Sequence, residues 1–162
     1  MKHVQYFKIS DAISRKFENS ESQTAKRRMR KLIIYTDGGA RGNPGPGAIG
    51  VVVRDEKTVL ETYSTEIGIC TNNIAEYRAL LKALELALKY EKEVTCHLDS
   101  ELVVKQLNGE YKVRNERLMH LFLEVQKLIN KFEKVTFVFV KRENEFQCMA
   151  DVLVNKALDG ED

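Results

Sequence analysis

The stretch YTDGGARGNPGPGAIG, Tyr35 to Gly50, lies between two apolar runs rich in β-branched residues, Leu32-Ile33-Ile34 before it and Val51-Val52-Val53 after it. That order constrains the fold more than any other feature of the chain. Gly45-Pro46-Gly47-Ala48-Ile49-Gly50 matches the dinucleotide spacing G-x-G-x-x-G, but such a fingerprint must open a helix whose N-terminus holds a pyrophosphate. A valine triplet prefers a strand instead. No Gly-Lys-Ser/Thr follows, which excludes a P-loop. The glycine-rich segment therefore joins a strand that ends at Asp37-Gly38 to a second strand, Gly47–Arg54.

Val59–Ile67 reads as a third strand after a tight turn near Asp55–Lys57, so the three form a meander. The period then switches. Between Asn73 and Tyr90 the apolar positions Tyr77, Leu81, Leu84 and Leu88 recur at helical steps. Val94–Leu98 reads as a strand, Ser100–Leu107 as a short helix, Glu116–Phe132 as an amphipathic helix, Val135–Val140 as the fifth strand and Met149–Leu158 as the last helix. The order predicts an α/β fold: a mixed five-stranded sheet, three antiparallel strands followed by two parallel crossovers, flanked by helices.

With 162 residues, 43% of them hydrophobic, the chain is expected to form one domain with a real core. Residues 31–162 carry the pattern above. Residues 1–30 read as a basic extension, with eight Lys/Arg against three Asp/Glu, whereas residues 31–162 carry eighteen against twenty-one. Within the extension, Ile9–Phe17 has the spacing of a short amphipathic helix and residues 18–31 read as linker. A basic arm on a slightly acidic domain fits a polyanionic partner or a solvated terminus. No apolar run approaches the ~20 residues of a membrane span, and no signal-peptide pattern is visible, so a cytoplasmic protein without membrane contact is expected. Cys70, Cys96 and Cys148 lack C-x-x-C spacing and read as buried free thiols.

Four acids stand at informative places, and each has an ordinary explanation. Asp37 could open a turn, Glu76 could close a capping box with Asn73, Asp99 could cap the helix after it, and Asp151 could sit in the first turn of the last helix. Their joint placement is less ordinary. If strands one and four are parallel neighbours, Asp37 and Asp99 leave the sheet at the same carboxyl edge, where open α/β sheets bind ligands. Glu76 and Asp151, near the starts of flanking helices, face that edge too. Four converging carboxylates repel one another unless cations lie among them, and all-oxygen donors favour Mg²⁺ or Mn²⁺.

These residues resemble a type 1 ribonuclease H, which cuts the RNA strand of RNA·DNA hybrids. The resemblance runs from about Lys31 to Asp159 and rests on Tyr35-Thr36-Asp37-Gly38-Gly39 with Asn43-Pro44-Gly45-Pro46-Gly47, on Thr71-Asn72-Asn73-Ile74-Ala75-Glu76, on Asp99-Ser100, and on Ala150-Asp151-Val152-Leu153-Val154-Asn155. It implies two Mg²⁺ or Mn²⁺ ions per site. Asp37 would bridge both, Asp151 would help hold the one that activates water, and Glu76 and Asp99 the one that stabilises the leaving 3′ oxygen. Backbone groups of Gly38, Gly39 and Ala40, the side chains of Asn72, Asn73 and Glu76, and Glu101 are implied to read the RNA 2′-hydroxyls. Asn43 and Thr71 match positions that touch the DNA strand and its phosphate. Cutting is expected to ignore sequence, since sugars and phosphates carry no base identity. A monomer without a small-molecule cofactor is expected.

The chain departs from the family pattern at three places. Glu101 stands where Gln is common. The loop Lys141–Met149 has no histidine where many bacterial members place one, leaving Lys141, Glu143 or Glu145 as candidates. Between Leu107 and Leu118 there is no basic helical handle, so grip on substrate is expected from Lys112, Arg114 and the basic run Lys26–Lys31. On this template Cys70 and Cys148 come close, which leaves a disulfide open. Competing functions are a related nuclease acting on RNA duplexes or DNA, and a non-catalytic nucleic-acid-binding module, which would be expected to have lost a carboxylate.

Overall fold

The computed structural model describes residues 4–7 and 30–161. Along them run β1 (Val4–Phe7), β2 (Leu32–Ala40), β3 (Gly45–Arg54), β4 (Val59–Cys70), α1 (Asn72–Ala87), β5 (Glu93–Leu98), α2 (Glu101–Leu107), α3 (Glu116–Ile129), β6 (Lys134–Phe139) and α4 (Glu145–Leu158). β2 to β4 form an antiparallel meander, and β5 and β6 add in parallel on the other side of β2. This is the mixed five-stranded sheet expected from the sequence. β1 extends it to six, in the order β1-β6-β5-β2-β3-β4, by pairing antiparallel with β6 from Val4↔Phe137 to Phe7↔Lys134. Four residues are too few for a periodicity, and their ladder partner comes from the far end of the chain. That is why the extension did not read as part of the sheet. The proposed helix at residues 9–17 and all of the linker except Arg30 and Lys31 lie outside the described residues.

β2 and β3 are covered on both faces, which explains why their apolar runs are continuous rather than alternating. Val51, Val52 and Val53 are all fully buried. On one face Leu32, Ile34, Val51, Val94, Cys96, Phe137 and Leu98 pack against Tyr77, Leu80 and Leu84 of α1 and Val125 and Ile129 of α3. On the other face Tyr35 and Val52 meet Ala150, Phe146, Met149 and Leu153 of α4. The fully buried Gln147 ties that helix to the sheet, donating from Nε2 to the Thr36 carbonyl at 2.8 Å.

Of the expected helical stripe, Tyr77 and Leu84 are fully buried, while Leu81 and Leu88 pack at its margin. The buried face of α1 is wider than predicted because it also takes Ala75, Ala79, Leu80 and Ala83. β4 carries a bulge: Gly47 pairs with Gly68 but Ala48 with Glu66, and Gly68 has φ +80°. Such a bulge bends the strand locally, and β4 then runs on to Cys70, two residues before the start of α1. Among the described residues no helix is long and apolar enough to cross a membrane.

Candidate active site

Asp37 sits where the sheet opens. Parallel pairing of β2 with β5 ends at Thr36↔Leu98, one residue before Asp37 and one before Asp99. The two acids therefore emerge at one edge, as the sequence implied. Asp37 does not end its strand, however, because antiparallel pairing with β3 continues from Asp37↔Gly50 to Ala40↔Gly47. The glycine-rich connection shrinks to Arg41–Pro44.

Two glycines bring the remaining carboxylates in. A Cβ on Gly38 would overlap the Ala75 carbonyl group and approach the Glu76 nitrogen to 2.5 Å. The first turns of α1 thus lie directly against β2, which sets Glu76 beside Asp37. Gly50, the ladder partner of Asp37, plays the same part for α4: a Cβ there would overlap the Ala150 carbonyl oxygen and lie 3.0 Å from Leu153 Cβ. Gly38→Ala is expected to cost at least about 2 kcal/mol of stability, because the obstacle is backbone that must move. Gly39→Ala, whose Cβ would lie 3.8 Å from Val154 Cγ1, is expected to change stability by less than about 1 kcal/mol. Urea midpoints of the two variants test this, and equal losses would contradict it.

The capping explanations of the acids do not hold. Thr71 caps α1, its Oγ1 accepting from the Ile74 N–H at 3.3 Å, so Glu76 is not a capping-box acid. Ser100 caps α2 through the Val103 N–H, which leaves Asp99 out of the cap. Asn144 caps α4, which starts four residues earlier than expected. Asp151 consequently lies in its second turn rather than its first.

Donor oxygens of Asp37, Glu76 and Asp99 all lie within 4.8 Å of one another. Asp151 lines the same cleft, close enough for its carboxyl to disfavour the Asp37 charge. Asp37 is 3% exposed and Glu76 7%. Burial, then the charge of Asp99, then the Asp151 carboxyl push the Asp37 carboxyl up to about 7, with Arg142 pulling the other way. Burial, followed by the charges of Asp37 and Asp99, holds Glu76 well above its ordinary range, although the Gly38 N–H favours its anion.

Glu76 Oε2 is buried without a hydrogen-bond partner. An orphaned, buried carboxylate oxygen among other carboxylates is costly unless a cation completes it. The cluster therefore fits a divalent metal ion, and its all-oxygen donors suit a hard one.

The four carboxylates line one cleft together with Gly38, Gly39, Ala40, Asn72 and Asn73. Asn72 Oδ1 accepts from the Ala40 N–H at 2.9 Å, and Asn43 Oδ1 from the Asn72 N–H at 3.0 Å. These side chains lock the β2–β3 turn onto the start of α1. Thr71 is engaged as the cap. Glu101 lies outside the cleft lining, exposed and ion-paired with Lys105 at 3.0 Å beside a hollow floored by Phe139. Lys112 and Arg114 are exposed on the connection between α2 and α3.

Arg142 is the residue that sequence reasoning missed. It reaches the cleft from the very loop searched for a histidine substitute, its Nε donating to Asp99 Oδ2 at 3.2 Å. Nothing in the run KRENEF distinguishes it from Lys141 before the fold is known. The cysteines are free thiols, Cys70 and Cys96 buried but Cys148 exposed, with its Sγ donating to the Arg142 carbonyl at 2.9 Å. The open Cys70–Cys148 disulfide is not formed, and Cys148 departs from the buried expectation.

Comparison with known proteins places this geometry among relatives. A family described as reverse transcriptase-like matches residues 35–157. A bifunctional protein of Mycobacterium tuberculosis is 41% identical over 132 residues, covering 80% of this chain and 36% of its own length. The chain thus spans about a third of that curated relative. The crystal structure of RNase H1 from Halobacterium salinarum superposes with a TM-score of 0.76 at 34% identity, over 80% of this chain and 98% of that one. LC11-RNase H1, solved in complex with an RNA/DNA hybrid, gives 0.73 at 44% identity, over 80% and 98%.

Proposed function

We propose, for a chain that belongs to the type 1 ribonuclease H family, that it is a monomeric cytoplasmic endonuclease hydrolysing the RNA strand of RNA·DNA hybrids to 5′-phosphate and 3′-hydroxyl ends. The convergence of Asp37, Glu76 and Asp99 within 4.8 Å, with Asp151 in the same cleft, carries this reading. One chain supplies the whole cluster, so no second subunit is needed to complete it.

Asp37, Glu76, Asp99 and Asp151 would hold Mg²⁺ or Mn²⁺, two per site. When bound, such ions lower the pKa of water toward neutrality and offset charge at the attacked phosphate. The chain's own groups prepare that chemistry. The Gly38 N–H favours the Glu76 anion, Gln147 fixes the Thr36 carbonyl next to Asp37, and Arg142 keeps a positive charge against Asp99.

Gly38, Gly39, Ala40, Asn72 and Asn73 lie along the cleft where sugar edges would pass, which suits discrimination by 2′-hydroxyl rather than by base. Asn43 and Thr71 already accept hydrogen bonds inside the protein, so contact with the DNA strand and its phosphate would fall to the Asn43 amide donors and the Thr71 hydroxyl proton. Glu101, Lys112 and Arg114 would act further out along the duplex.

Digestion of end-labelled hybrid in Mg²⁺ or Mn²⁺, beside duplex RNA, duplex DNA and single strands, tests the proposal. Cutting confined to the RNA of the hybrid is the expected result. Equal cutting of duplex RNA would widen the substrate class, and cutting of DNA would overturn the reading.

The basic run Lys26–Lys31 would add phosphate contacts. Its described end, Arg30, is held by Glu91 at 3.4 Å and lies about 23 Å of extended strand from Asp37. Because deleting residues 1–30 would also remove β1, substitution is the cleaner test. Lys26, Arg27 and Arg28 changed to Gln should raise KM several-fold, leave kcat within about twofold, and flatten the salt slope by roughly 0.9 per lost contact. An unchanged slope would sink the idea.

A further inference from the structure

Arg41 heads the turn between β2 and β3, and the chemistry proposed above makes no use of it. It lines the carboxylate cleft. Its backbone is fixed from both sides: its N–H donates to the Pro46 carbonyl at 2.9 Å, and the Ala40 N–H before it donates to Asn72 Oδ1 at 2.9 Å. Gly45 packs so closely on the Arg41 carbonyl that a Cβ there would overlap it. The root of the side chain therefore has little freedom.

The tip is held as well. Arg41 Nη1 lies 2.6 Å from Asp159 Oδ1, in a pair that joins the turn to the C-terminal end of α4. Both partners are about half exposed, 49% and 45%. A pair this open contributes only about 0–1 kcal/mol to stability. Its consequence is orientation. A guanidinium offers five N–H donors in a rigid fork, and Asp159 engages Nη1, leaving the fork able to take a phosphate as well.

The position of Arg41 defines which phosphate. Four steps of extended backbone, about 13 Å between Cα positions, separate it from Asp37, which sets its root away from the group being cut but within the footprint of one bound duplex. Its charge also answers a need. A cleft walled by four carboxylates repels a polyanion; of the two arginines among its described lining, Arg142 offsets Asp99 of the carboxylate cluster itself, whereas Arg41 pairs with Asp159 outside that lining. We infer that Arg41 binds a backbone phosphate of the duplex in the cleft, with Asp159 orienting its guanidinium. This rests on the hybrid-ribonuclease reading given above.

The affinity of a labelled RNA·DNA hybrid for Asp37→Asn protein, which should bind without cutting, measured across a salt series, tests the inference. Adding Arg41→Gln should weaken binding several-fold and reduce the slope of log affinity against log salt by about 0.7–0.9, the loss of one phosphate contact. Arg41→Lys should restore most of that slope, and Asp159→Asn should keep it, since the cation remains. In the cleaving enzyme Arg41→Gln should raise KM with kcat within about twofold, as expected for uniform binding. If Arg41→Gln and Asp159→Asn behave alike and neither changes the slope, the pair is only a clip and the inference falls. A parent protein that fails to bind hybrid would overturn the hybrid reading itself. A parent that binds while Arg41→Gln leaves the slope unaltered overturns the Arg41 assignment alone.

Discussion

Asp37→Asn is expected to lower kcat on an RNA·DNA hybrid by more than about a hundredfold while raising the melting temperature of the metal-free protein. The two effects come from one cause. Asp37 is 3% exposed, and its neighbours Asp99 and Asp151 disfavour its charge so strongly that its carboxyl is pushed up to about 7 from 3.8. At pH 8 the folded chain must nevertheless hold that charge. A displacement of about three units corresponds to roughly 4 kcal/mol of strain at about 1.4 kcal/mol per unit, taken as an order of magnitude. Asn has nearly the same shape and no charge, so the strain is relieved and melting should rise by on the order of 5 °C or more. The metal would lose its central ligand at the same time. Loss of cleavage with a lower melting temperature would mean that the variant fails by misfolding, and cleavage that survives would remove Asp37 from the site.

The second large effect is an inverted pH dependence of stability that a divalent metal cancels. In the unfolded chain Asp37 ionises at its ordinary value near 3.8, whereas in the fold it does so at about 7. Between those values the folded state holds the extra proton. Stability is therefore fully present below the lower value and is lost as pH rises through the upper one. Glu76, raised for the same reasons, adds in the same direction. Asp55, lowered chiefly by the Lys57 and Thr58 N–H groups, and Glu61, lowered chiefly by its hydrogen bond to Lys89, act oppositely. Their contributions are already complete above the ordinary carboxylate range and stay constant from pH 5 to 8.

Metal-free protein should thus unfold more easily in urea at pH 8 than at pH 5. Mg²⁺ or Mn²⁺ needs the ionised carboxylates, so its affinity and its stabilising effect should grow over the same interval. Urea midpoints in chelator and in excess metal, at both pH values, give the answer. Chelated protein more stable at pH 8 than at pH 5 would contradict the buried-acid account.

How far the sequence reaches is clearest at the glycines. Val51-Val52-Val53 after Gly50 was enough to exclude a nucleotide cradle, because a strand cannot serve as the helix such a cradle requires. The meander, the two crossovers and the edge shared by Asp37 and Asp99 followed from local periodicity, and the sheet contains them. The resemblance implied that the backbone of Gly38 and Gly39 reads RNA 2′-hydroxyls. The fold adds a packing task for Gly38 and Gly50, which admit the backbones of α1 and α4 on either side of Asp37. A glycine in a sequence says that something passes close, but not what.

Residue type and period by themselves implied the meander, the two crossovers and, granted that the first and fourth expected strands are neighbours, an edge shared by Asp37 and Asp99, because alternation and helical spacing are properties of neighbouring residues. Tertiary structure alone decided the rest. β1 joins β6 across nearly the whole chain, Asp151 turns inward from the second turn of α4, Arg142 answers Asp99, and Arg41 is held by Asp159. Each of these joins residues far apart in the chain, and the long-range packing that places them leaves no trace in local spacing. The raised proton affinity of Asp37 belongs with them: a carboxylate resists its charge only once the fold has buried it and set other carboxylates beside it.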